Sequence, residues 1–210
     1  MIVLAGLLSL FSTKLPTTVN MTRWANPDLQ SLVDLFYEEP ASLATFAEVR
    51  ESDLPGDYRR LLSHNAHMTV TLEEYHRSQV NVDVLAFQRT DTHYSRKIVL
   101  RRSDGAPVLF GVVRLSLNFL PVPVQSAIES QEKPLGRVLI ENNILRNVKL
   151  LSLWKIVSGP ELNSIFGVSD GSLLSAGAEA KECEDPVYGR TALIYCDGLP
   201  AVELLEIAKV

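Results

Sequence analysis

The chain has 210 residues, 46% of them hydrophobic and 21% charged, and a net charge of −5, enough to bury a substantial core. It has no run of five basic residues, which excludes a surface built for phosphate contacts, so no nucleic-acid partner is expected. Cys183 and Cys196 lack any Cys-x-x-Cys spacing, which argues against a zinc site or disulfide framework and makes a cytoplasmic address the default.

Met1 to Phe11 is almost continuously apolar, broken by Gly6 and Ser9. No Lys or Arg precedes this run, and it is too short to cross a bilayer, so no membrane partner is expected. A signal segment and an upstream extension both fit. Met21-Thr22-Arg23-Trp24 leads directly into a helix signal, which favours residues 1–20 as an extension and 21–210 as a single domain.

Asn26 and Pro27 form a cap and first-turn pair, after which Leu29, Leu32, Val33, Phe36 and Tyr37 recur at helical spacing up to Pro40. A weaker helix is expected over Leu43 to Val49. A third follows Asp53 and Pro55, with Tyr58, Leu61 and Leu62 on its buried side. From Met68 the period changes to two: Met68, Val70 and Leu72, then Val80, Val82 and Val84, read as two strands.

Tyr94 to Leu100 reads as the first arm of a hairpin, with Tyr94, Arg96, Ile98 and Leu100 on one face. A two-residue turn at Asp104-Gly105 pairs residues whose numbers sum to 209, setting Arg96 opposite Val113 and Ile98 opposite Gly111. The same register puts Arg114 beside Ser95 on the other face; a three-residue turn would reverse that. Arg96 therefore lies on an apolar face. A guanidinium there snorkels to the sheet edge, pairs with an internal acid, or takes a carboxylate from a ligand.

The second arm runs to about Leu120, where Pro121 and Pro123 stop it, and Val124 to Glu129 is a short helix. Glu132 to Leu139 carries Lys133-Pro134-Leu135-Gly136-Arg137, in which Pro134 fixes one φ and Gly136 frees another, and it reads as a shaped loop. Val138 to Ile140, Leu150 to Val157 and Thr191 to Asp197 are further strands. Gly159 to Gly177 is a connection or flap. After Pro200 the pattern fits a strand or a short helix. Helices first, then about six strands joined by short turns, describe an α+β domain on an antiparallel sheet with covering helices and loops.

Tyr94-Ser95-Arg96-Lys97-Ile98-Val99-Leu100, Asp104-Gly105-Ala106-Pro107 with Gly111, and Lys133-Pro134-Leu135-Gly136-Arg137-Val138-Leu139 together resemble the chorismate pyruvate-lyase family in order and spacing, over about residues 68–200. The resemblance implies that Arg96 binds a carboxylate of a small dicarboxylate substrate and that Leu135, with Gly136, shapes the site. It implies an elimination of pyruvate from chorismate that leaves 4-hydroxybenzoate, helped by an acid near the ether oxygen and needing no metal or organic cofactor. In that family a late-strand glutamate acts opposite the arginine. Here the position falls on Cys196 or on Asp197, depending on the anchor, and these two residues face opposite sides of their strand. Asp197 is the candidate acid. The family's second arginine is Val112 in this chain. A binding module of the same fold that performs no chemistry is the alternative.

Other motifs carry less. Gly167-Val168-Ser169-Asp170-Gly171 fits a nucleophile-elbow pattern, but His64, His67, His76 and His93 all precede it, so it reads as a turn. His64 and His67 have helical spacing without an acidic or cysteine companion, and read as solvent-facing. Glu73 and Glu74, on a strand, would face opposite ways.

Overall fold

In the computed structural model, which describes residues 28–167 and 186–210, the fold is built outward from the expected hairpin. Strand β3 (His93–Arg102) pairs with β4 (Pro107–Ser116), with Arg96 opposite Val113 and Ile98 opposite Gly111. The connection is longer than a two-residue turn: the Arg102 N–H donates to the Ala106 carbonyl at 2.9 Å, and Gly105 takes a left-handed φ of 84°. A bulge then sets Pro107 and Val108 against Arg101. The extra turn residue and the bulge cancel, so the register beyond them is the one a two-residue turn would give.

Seven strands form one antiparallel sheet in the order β1-β5-β6-β7-β4-β3-β2, where β1 is Ala44–Val49, β2 Val80–Arg89, β5 Arg146–Ser158, β6 Val187–Cys196 and β7 Leu199–Ala208. The central strands β4 and β7 are apolar on both faces because both are covered by helices. Helices α1 (Leu29–Val33) and α6 (Pro160–Phe166) pack on one face with Val99, Phe110, Val112, Leu205 and Ile207. On the other face α2 (Gly56–Leu62) and α3 (Met68–His76) cover one apolar cluster, which includes Ile98, Leu100 and Leu109. A second cluster on that face, with Tyr94, Val113 and Leu204, lies under α4 (Val122–Glu129) and α5 (Leu135–Glu141).

Several local expectations are corrected. Leu43 to Val49 is no helix: Ala44–Val49 is an edge strand whose ladder with β5 outweighs a weak helical pattern. Met68 to Glu73 is no strand but the start of α3. It buries Met68, Thr69 and Leu72 at helical spacing and leaves Val70 38% exposed. Glu132 to Leu139 is only partly a loop, since Pro134 sits at the N-cap of α5 and Val138 to Ile140 lie within that helix. The first helix is shorter than expected and is capped by Asp28, whose carboxylate accepts the Gln30 N–H at 3.3 Å. The chain after Pro200 is strand β7. Residues 1–20, Asn26, Pro27, Cys183 and all but the first residue of Gly167 to Gly171 lie outside the described residues.

Candidate functional site

Arg96 points from the middle of β3 to the face covered by α2 to α5 and has no exposed surface. None of its three guanidinium nitrogens has a hydrogen-bond partner among the described residues. Burial holds its pKa below the usual arginine value, yet a guanidinium keeps its proton at neutral pH, so an uncompensated positive charge is left inside the fold. Among the described residues, neither snorkelling nor pairing with an internal acid describes it.

A cavity of about 40 Å³ lies on the same face of the sheet, between the two apolar clusters. Its walls are the first turns of α3 (Met68, Thr69) and α5 (Leu135, Gly136), the preceding His67 and Pro134, and a sheet floor that includes Ile98, Gly111, Val113, Arg190 and Glu206. Arg96 is not itself part of the wall; Ile98, two residues along the same face, and Val113, the cross-strand partner of Arg96, are. The two helices meet closely there, since a Cβ built on Gly136 would stand 2.8 Å from Thr69 Oγ1. Arg137 of α5 also pairs with Glu73 of α3, which accepts the Val80 N–H at 3.1 Å as well. Glu73 thus fastens two helices and a strand end.

The acid in this cavity is Glu206 on β7. Register sets Gly111, Glu206 and Arg190 in one row across β4, β7 and β6. Arg190 Nε donates to Glu206 Oε2 at 2.7 Å, and its Nη1 donates to the His64 carbonyl at 2.8 Å, so the carboxylate is held from behind by a buried cation. The sequence pattern hides both residues: Arg190 lies just before the expected strand Thr191 to Asp197, and the chain after Pro200 fits a strand or a short helix. The available signal was alternation along Leu199–Ala208, which puts Glu206 on the face of Leu204 and Ala208.

Cys196 and Asp197 are placed otherwise than a site acid requires. Cys196 is fully buried on the Arg96 face, inside the apolar cluster under α5, and burial pushes its thiol up to about 11. Asp197 is exposed in the β6–β7 turn at a left-handed φ of 50°, with its N–H on the Leu145 carbonyl. Neither lines the cavity. Asp197, the candidate acid, lies in the turn rather than on the strand, because β6 ends at Cys196. Arg114 stays on the opposite face, paired with Glu203.

His64 and His67 are half-buried, not solvent-facing. His64 Nδ1 lies 3.3 Å from Arg190 Nη1, and His67 lines the cavity. Among the described residues, no group of three or more His, Cys, Asp or Glu could hold a metal ion, and no helix is long and apolar enough to cross a membrane.

No protein-family model matches the chain, and no curated protein matches it. Solved structures resemble it distantly. A gene product from Staphylococcus aureus is 9% identical with a TM-score of 0.42, covering 62% of this chain and 82% of its own. The ligand-binding domain of a proposed GntR-family transcriptional regulator from Bordetella bronchiseptica is 12% identical with a TM-score of 0.41, covering 62% of this chain and 86% of its own. PhnF from Mycobacterium smegmatis is 12% identical with a TM-score of 0.43, covering 69% of this chain and 64% of its own.

Proposed function

We propose that this chain binds a small carboxylate, with Arg96 as the anchoring cation. The observation that supports this is the guanidinium itself, fully buried and unpartnered on all three nitrogens among the described residues. Leaving such a charge uncompensated costs several kcal/mol, roughly what a bidentate carboxylate from outside would restore. The cavity, at about 40 Å³, is well below the roughly 150 Å³ that accepts a benzene ring. A ring-sized ligand therefore requires the α3 and α5 cover to lift.

Glu206 favours a second reading, the elimination that the resemblance implies. In chorismate, loss of the ring C4 proton and cleavage of the C3–O bond leave 4-hydroxybenzoate, and the departing enolpyruvate takes up a proton to become pyruvate. A carboxylate in the cavity wall is a chemically suitable acceptor for the ring proton, and the aromaticity gained drives the step.

Calorimetric titration with 4-hydroxybenzoate and incubation with chorismate separate the two readings. Binding that Arg96→Met abolishes supports the carboxylate site; binding untouched by Arg96→Met removes it. Appearance of 4-hydroxybenzoate from chorismate, lost in Glu206→Gln, assigns the lyase, whereas binding without turnover leaves the binding module.

A further inference from the structure

We propose that His67 is a second ligand-binding group of this cavity, held by Arg146 as the Nδ1–H tautomer and donating a hydrogen bond to a ligand oxygen other than the carboxylate on Arg96. This rests on the carboxylate-binding reading and extends it to a ligand class: a small acid carrying a second acceptor oxygen.

The tautomer follows from one contact. Arg146 Nε donates to His67 Nε2 at 2.6 Å, while Arg146 Nη1 donates to the Ile144 carbonyl at 3.0 Å and fixes the guanidinium. A ring nitrogen that accepts from an arginine carries no hydrogen, so the proton of the neutral ring sits on Nδ1. Burial and the flanking cations Arg146 and Arg190 keep the ring neutral at pH 7, with a pKa of about 4.

The orientation follows from two surfaces. His67 lies in the wall between the cavity and a neighbouring groove that Arg146, Asn147 and Tyr195 help to form. Arg146 touches only the groove and Gly136 only the cavity. Nε2 is bonded to Arg146, and Nδ1 lies 3.8 Å from where a Cβ on Gly136 would stand. The accepting edge thus faces the groove and the donating edge faces the cavity. A small acid with a second acceptor oxygen can meet both His67 and Arg96, whereas a bare hydrocarbon acid can meet only Arg96.

Two measurements test this. In the ligand-free protein, long-range 1H–15N correlation is expected to show His67 as the Nδ1–H form; an Nε2–H ring overturns the inference whatever binds. In titrations, the wild type is expected to bind 4-hydroxybenzoate about five- to tenfold tighter than benzoate. His67→Phe should erase that preference while still binding benzoate, and His67→Asn, which keeps an N–H near the Nδ1 position, should restore part of it. A preference that survives in a folded His67→Phe overturns the inference and leaves the Arg96 site standing. Failure of the wild type to bind either acid overturns the carboxylate reading and this extension together.

Discussion

Gly136 and Thr69 meet where α5 crosses α3, with no room for a methyl group: a Cβ on Gly136 would lie 2.8 Å from Thr69 Oγ1 and 3.3 Å from its Cβ. Gly136→Ala is expected to destabilise the fold by about 1–3 kcal/mol through overpacking. Combining it with Thr69→Ala, which removes the Oγ1 that the methyl would meet, should recover part of the loss. Thermal unfolding of the two single variants and the double variant measures the coupling, and strict additivity would show that the crossing tolerates the methyl.

Arg96→Met should raise the stability of the ligand-free protein by about 1–4 kcal/mol, because it replaces an uncompensated buried charge with an apolar chain of similar length. The same variant should lose the thermal shift produced by 4-hydroxybenzoate. Stability gained together with binding lost is the expected signature, and a destabilised variant would mean that the guanidinium has a partner inside the folded chain.

Arg190 and Glu206 behave oppositely because they already satisfy one another. Arg190→Met should cost about 3–5 kcal/mol by leaving Glu206 buried and unpaired. The double variant Arg190→Met with Glu206→Leu should be more stable than the single one. Urea unfolding of the set checks both statements.

Acid should weaken the fold in a defined window. The unfolded chain protonates a histidine near 6.5, whereas folded His67 resists until about 4, chiefly through burial and then through Arg146 and Arg190. His64, His76 and His93 shift in the same direction, burial first. Between those values the unfolded state binds more protons, so stability is intact above about pH 6.5 and falls as the pH drops through the window. Each ring contributes at most about 1.4 kcal/mol per pH unit, less where solvent screens it. Urea midpoints at pH 7.5 and 5 should differ less in His67→Asn than in the wild type.

The hairpin and the face of Arg96 were legible in the sequence because alternation is a local signal, whereas the turn is one residue longer than the dipeptide implied and a bulge restores the register. Leu43 to Val49 and Met68 to Glu73 were not. Each is short, and its state is settled by partners far along the chain: β5 for the first, α5 for the second. Glu206 escaped because a lone acid in an apolar strand declares its side only once β7 has been paired with β4 and β6. The His67–Arg146 contact joins residues 79 apart, and no periodicity encodes it.

Cys196 shares its apolar cluster with Leu135 and Leu139 of α5. That sulfur is fully buried, so in a Cys183→Ser background the rate of alkylation becomes a clock for any opening of this cluster, lifting of the α5 cover included. Any compound that seats beneath that cover and holds it down would slow the clock, and an occupant could be detected without first being identified.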